Sequence, residues 1–378
     1  MRNLGACKIV LFALLVSTQV WAVGGVFKSN IVTLSVIAQA SPGTLPAGLG
    51  WHDLPNTKMR SVCYPSVSGD AIYGTNGCGA VMSAWGSAIA DTTRNRMIVW
   101  GGGHNDYYGN EIYAFSLGSM KWQRLNEPSL PTADHGNVYG PTALSDGKPN
   151  GRHTFDNLVY IKNTDTMYSV GGAPSGGAGG LSSDTWFLNL GSLTWTLKSS
   201  SISQAGNGVV AGTDIDPITN IIYLAFLNSY LSYNPSTNLY TELGGGVDDY
   251  HFTARVDPIQ KKFVVVSGKG FWMADISPTA ADKTLKPLAM AGCAGIMVDQ
   301  AGISFDSKLG KLVGWAGGNT TYTIDIVTKS CTQTTFSGGP GARQPDGTTG
   351  RFRYFPDYNV HILANDVDQD VFILRLSN

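Results

Sequence analysis

One short pattern, a hydrophobic strand reached through a turn, recurs six times along the chain: RMIVWGGG from Arg96, TMYSVGG from Thr166, IIYLAF from Ile221, KFVVVSGKG from Lys262, KLVGWAGG from Lys311 and VHILAN from Val360. Most copies follow a turn that opens on aspartate: DTTRN from Asp91, DPITN from Asp216, DPIQK from Asp257 and DSKLG from Asp306. Aspartate suits such a position because its side chain bonds nearby backbone, and proline because it presets φ. The strands lie 41 to 70 residues apart, a spacing that suits the blades of a β-propeller.

A second spacing sits inside the first. YAFSLGSMKW (Tyr113 to Trp122) and WFLNLGSLTW (Trp186 to Trp195) place a short turn between two alternating strands, and Leu231 to Tyr240 and Tyr322 to Cys331 repeat the step. These pairs predict the third and fourth strands of four-stranded blades, with glycines after the second strand opening the loop to the third. The fourth unit, from Trp272, departs, its last strand displaced by an insertion around Pro278.

Here the chain resembles the kelch-repeat and galactose-oxidase central-domain propellers. Their mark is a glycine pair after the second strand, then tyrosine, then tryptophan, as in GGGHNDYYGNEIYAFSLGSMKW from Gly101. The resemblance spans most of residues 48–378 and is sharp in the first two units. It implies a fold and no particular activity. The last unit, RFRYFPDYNVHILANDVDQDVFILRL from Arg351, supplies three strands, while Trp51-His52-Asp53-Leu54 looks like Trp122-Gln123-Arg124-Leu125. An N-terminal strand completing the last blade would leave no sheet edge open. The expectation is an all-β, six-bladed kelch-type propeller over 48–378. Seven blades stay open if 57–80 or 128–150 hold an irregular one.

Composition agrees. Charged residues are 14% of the 378 and glycine contributes 47, which excludes a coiled coil, a helical repeat and a disordered chain. With 26 basic and 27 acidic residues there is no excess charge to neutralise phosphates, so a nucleic-acid partner is not expected.

The first residues read as a secretory signal over 1–22: Arg2 and Lys8, the run IVLFALLV, then Val20-Trp21-Ala22. A second pattern (Lys28, IVTLSVIA, Ala38-Gln39-Ala40) leaves cleavage after Ala40 open. Residues 23–47 read as a linker. Cleavage after Ala22 removes two cations and no acid, taking the net charge from −1 to −3. LGAC ending at Cys7 precedes the apolar run, so no lipid anchor is expected. The expected destination is secreted or periplasmic, without a membrane span. Cys7 leaves with the signal. The even count that remains, Cys63, Cys78, Cys293 and Cys331, favours disulfides in an exported chain. Pairing Cys63 with Cys78 and Cys293 with Cys331 rests on proximity in the repeat scheme alone; other connectivities, and free thiols, stay open.

In a propeller the loops leading into the innermost strand and the loops after the second strand emerge on one face. His104 falls in the first loop after a second strand; Arg152-His153 and Tyr250-His251 lead into the second and fourth blades; Arg351 and Arg353 begin the sixth. Residues far apart in sequence would then meet at one mouth. HNDYYGNE from His104 offers His104, Asp106, Tyr107, Tyr108 and Asn110, a polar and aromatic set suited to sugars. The plainer alternative has Asn110-Glu111 capping the third strand and Tyr107 packing on a neighbouring blade. His153 and His251 could instead plug the channel beside Phe155 and Phe252. His135 lies in a long loop over the same face; His52 and His361 fall within strands and read as structural. The glycine-rich VGGAPSGGAGG from Val170 has no helix after it, and reads as a flexible loop and not a phosphate cradle.

No cofactor is expected. Three histidines could hold zinc, but no HxH or HxxxH pair is present, so zinc, like calcium, is left open without a motif. A copper-radical site would need a free cysteine beside a tyrosine. The leading functional reading is a polysaccharide lyase acting on uronate-containing glycans as a monomer. Arg152, Arg351 or Arg353 would offset developing negative charge, and His153 or His251 with Tyr250 would move protons. Arg255 and Arg353 join the substrate-binding set. A non-catalytic kelch module for glycan or protein, and a sugar isomerase or mutarotase, are the alternatives. A sialidase would need Asp-box repeats, which are missing.

Overall fold

The computed structural model describes residues 45–129, 143–175, 181–198 and 212–378. The signal segment, nearly all of the linker, His135 and the second half of the Val170 loop lie outside the described residues. Six four-stranded antiparallel sheets are present, and they form a six-bladed β-propeller. Blade 1 runs Ser87–Asp91, Arg96–Trp100, Tyr113–Ser116 and Lys121–Arg124; blade 2 runs Leu158–Ile161, Thr166–Val170, Thr185–Asn189 and Thr194–Leu197. Blades 3, 4 and 5 begin at Gly212–Ile215, Phe252–Asp257 and Gly302–Asp306, and repeat the same order. Blade 6 contains Phe352–Phe355, Val360–Leu363 and Val371–Arg375, with Gly50–Leu54 paired to the last of these in the register Trp51 to Leu374. The first strands touch one another around the ring, blade 6 returning to blade 1. They are therefore the innermost strands. Residues 57–80 form two short 3-10 turns and no strand.

The repeating aspartates work as their chemistry requires. Asp216 accepts from the Ile218 amide at 3.1 Å, Asp257 from Ile259 and Gln260 at 3.0 and 2.9 Å, and Asp306 from Lys308 and Leu309 at 2.9 Å each. Each turn closes on a residue with left-handed backbone: Asn95, Asn220, Lys261 and Gly310. That conformation favours Asn and Gly. The predicted hairpins appear in register, Phe115 opposite Trp122 and Leu188 opposite Trp195. In blade 4 the outer strand is displaced to Lys286–Leu288, past the insertion.

Apolar faces pack blade against blade. Ile98 and Trp100 of blade 1 meet Leu158, Met167, Trp186 and Trp195 of blade 2, with the Trp100 and Trp195 rings 4.8 Å apart. Burying each such side chain contributes about 1.5–3 kcal/mol. Both disulfides form as paired by proximity, Cys63–Cys78 and Cys293–Cys331.

His361 is structural. Its Nε2–H donates to Asp306 Oδ2 at 3.1 Å, and its Nδ1 accepts from the Ser304 hydroxyl at 2.8 Å. The neutral ring is thus satisfied on both sides, and burial pushes its pKa down. A folded-state pKa below the unfolded one means that the unfolded chain takes up the proton first. The stability from His361 is therefore complete above about pH 6.5 and is lost as pH falls below it. The melting temperature should drop between pH 7.5 and 5.5, and His361→Gln should flatten that drop. An equally steep profile in the variant would assign the loss to other groups.

Candidate functional site

His104 and Asp106 ride on the loop that follows the second strand of blade 1. Arg152–His153 form a short strand paired to Ala173–Pro174, so the lead-in to blade 2 is bonded to that blade's own second loop. The two loops press together at Gly103. Its φ is +82°, and a Cβ there would lie 2.0 Å from the Arg152 Cα, so only glycine permits the approach. The result is a direct hydrogen bond, His153 Nε2 to Asp106 Oδ2 at 2.8 Å. A carboxylate only accepts, so Nε2 carries a proton, and in the neutral ring Nδ1 holds the lone pair. The hydrogen bond to His153 holds the Asp106 carboxyl below its usual range despite partial burial.

Aromatic rings complete the cluster. His153 lies 5.5 Å from His104 and 4.9 Å from Trp85. Trp85 also stacks on His251 at 6.1 Å and 22°, and His251 meets Tyr250 at 4.8 Å. Phe155 closes the group, 6.0 Å from His153 and 6.4 Å from His251. Tyr250 is 44% exposed, and partial burial raises its hydroxyl pKa. Trp85, His104 and Phe155 all have left-handed backbone, at φ 48°, 48° and 46°. Each such residue costs on the order of 1–2 kcal/mol. The Phe155 amide to Trp85 carbonyl bond, at 2.7 Å, helps hold two of them. Strain of this kind concentrates at functional sites.

Asp346, which the sequence reading did not single out, reaches the same cluster from the lead-in to blade 6. Burial raises its carboxyl pKa; His153 and His251 pull it down and Asp106 pushes it up. Arg343 of the same loop also acts on it. Trp85 and Asp346 occupy the lead-in position already assigned to His153 and His251. Applying that rule to every blade would have found both.

The arginines behave otherwise. Arg152, Arg255 and Arg351 are at most 1% exposed and Arg353 is 9% exposed. Arg152 pairs with Asp184 at 2.6 Å, donates to the Gly171 carbonyl and the Asn150 side chain, and lies over Trp100. Arg255 of blade 4 reaches Asp156 at 2.7 Å and the blade 5 carbonyl of Ile303 at 2.7 Å. Arg351 donates to Ala364 and Gly347 of its own blade's loops and to Gly86 leading into blade 1. Arg353 donates to Ala88 of blade 1 and to Gly350. Burial lowers both blade 6 guanidinium pKa values to about 10. The physical reason differs along the chain: Arg255 and Arg353 satisfy innermost-strand carbonyls of the next blade and Arg351 the Gly86 carbonyl leading into blade 1, so these three join blades, whereas Arg152 is locked inside blade 2 by Asp184, Gly171 and Asn150. None of the four guanidinium groups is presented to solvent, as the substrate-facing roles expected of Arg152, Arg255, Arg351 and Arg353 require.

Two more of the expected contacts turn inward. The Tyr107 hydroxyl donates to buried Glu111 at 2.6 Å, and Asn110 bonds Ser129 and the Pro149 carbonyl. Tyr108 is half-buried, its hydroxyl 3.3 Å from Asn105 Oδ1. Among the described residues no group of three His, Cys, Asp or Glu side chains is arranged to hold a metal ion. Nor does any described helix have the length and apolarity to cross a membrane. No protein-family model and no curated protein matches the chain.

Proposed function

We propose that the protein is an exported, kelch-type carbohydrate-active enzyme, a polysaccharide lyase that cleaves uronate-containing glycans by β-elimination. The observation that carries this reading is the His153–Asp106 pair gathered with His251 and Tyr250 around the Trp85 indole. Asp106 fixes the tautomer, so His153 Nδ1 offers a lone pair for the proton α to the uronate carboxylate. As that proton leaves, its electron pair forms the carbon–carbon double bond and the glycosidic C–O bond breaks. The Tyr250 hydroxyl is neutral at working pH and supplies the proton to the departing oxygen. A sugar face stacks on the half-buried indole. With the four buried arginines committed elsewhere, the substrate carboxylate would meet Arg343, whose one described hydrogen bond is to the Gln344 carbonyl at 3.3 Å. The signal-like start and the two disulfides support export; the glycine-tyrosine-tryptophan pattern supports the kelch reading.

Elimination leaves an unsaturated uronate that absorbs at the ultraviolet edge. A panel of uronic polysaccharides should give rising absorbance with at least one polymer and none with neutral glucans. The burial of the four arginines favours a second reading, a binding module without turnover. Retention of a polymer on an affinity gel with flat absorbance would establish it and remove the lyase.

A further inference from the structure

The segment between Cys63 and Cys78 contributes no blade strand, yet five hydrogen bonds tie it to the loop of Asp106. Three join backbone to backbone: Thr75 to Asn105 at 2.9 Å, Asn76 to Asp106 at 3.0 Å and Tyr108 to Ile72 at 2.9 Å. Two come from side chains and end on one carboxylate oxygen. Asn76 Nδ2 reaches Asp106 Oδ1 at 2.9 Å, and Thr75 Oγ1 the same atom at 3.4 Å. Asp106 thus divides its oxygens, Oδ1 toward the segment and Oδ2 toward His153. Gly74 permits the contact: its φ is +61°, and a Cβ would stand 2.6 Å from the Asn105 and Asp106 carbonyl oxygens. The segment is anchored by Ile72, 3% exposed in the core. It is closed by the disulfide across 15 residues.

We propose that Asn76 is a positioning residue for His153, acting through Asp106, and that the Cys63–Cys78 disulfide is the clamp that keeps Asn76 in place. A carboxylate held on one oxygen alone can rotate; held on both, it presents Oδ2 to the imidazole in one orientation. The protonation pattern of a ring at the mouth then depends on a covalent bond outside it. The consequence for turnover rests on the lyase reading, while the coupling between Asn76 and the imidazole does not.

Nitrogen-15 NMR of the imidazole rings separates the two. In the oxidised protein His153 should show a single Nε2–H tautomer. Asn76→Ala should yield averaged nitrogen shifts and faster exchange of that proton. Against a polymer that is turned over, kcat should fall about 10- to 100-fold with KM nearly unchanged. Cys63→Ser with Cys78→Ser should reproduce the spectrum of Asn76→Ala, whereas Cys293→Ser with Cys331→Ser should leave His153 as in the parent. If no polymer is turned over, the spectra alone decide and the lyase reading falls separately. An unchanged His153 spectrum in Asn76→Ala overturns the positioning role. A chain that unfolds without Cys63–Cys78 makes that bond a staple of the whole fold and overturns the clamp.

Discussion

Asp156→Ala should destabilise the propeller by about 3–5 kcal/mol, the cost of leaving a buried charge without its partner. Asp156 is fully buried, and its Oδ2 accepts from Arg255 at 2.7 Å and from the Ala254 amide at 2.9 Å. Its backbone oxygen accepts from the Thr213 amide and hydroxyl, at 3.0 and 2.7 Å. One residue leading into blade 2 is therefore bonded to blades 3 and 4, while Arg255 carries the link on to blade 5. Truncating the carboxylate strands the Arg255 cation near that of Arg353, whose pKa Arg255 already depresses. In urea the midpoint should fall with the slope unchanged. The double variant Asp156→Ala, Arg255→Met should recover most of the loss, because no orphan charge remains. A single variant within about 1 kcal/mol of the parent, a size typical of exposed pairs, would mean the pair does not hold the ring.

His153→Ala should lower kcat on a susceptible uronic polysaccharide by about 10²- to 10⁴-fold, the range that general-base groups contribute. The melting temperature should move little, because Trp85 and Phe155 keep their mutual contact. Asp106→Asn should also reduce kcat strongly: an amide can donate to Nε2, which shifts the ring proton to Nδ1 and removes the base. A His153→Ala protein that keeps full turnover would move the base to His251. One that fails to fold would make His153 a packing residue.

The repeat was legible because its causes are local. Asp216, Asp257 and Asp306 cap turns within a few residues of themselves, and a hairpin such as Tyr113 to Trp122 closes on its own sequence. The gathering of His104, His153 and His251 was legible at one remove, since the blade scheme dictates which loops share a face. The orientation of the arginines was not legible, for the opposite reason. Whether Arg351 points to solvent or to the Gly86 carbonyl depends on which inner strands the ring sets side by side, and nothing within a few residues of Arg351 encodes that. Asp346 and Trp85 stood in the lead-in position but looked like ordinary loop residues, because neither belongs to a motif.

The site itself is tested most directly by adding a uronic oligosaccharide to the folded protein and following its imidazole NMR signals. His104, His153 and His251 should shift together on one binding curve while buried His361 stays fixed. Independent curves for the three rings, or a shift at His361 with none at the mouth, would contradict a shared site on that face.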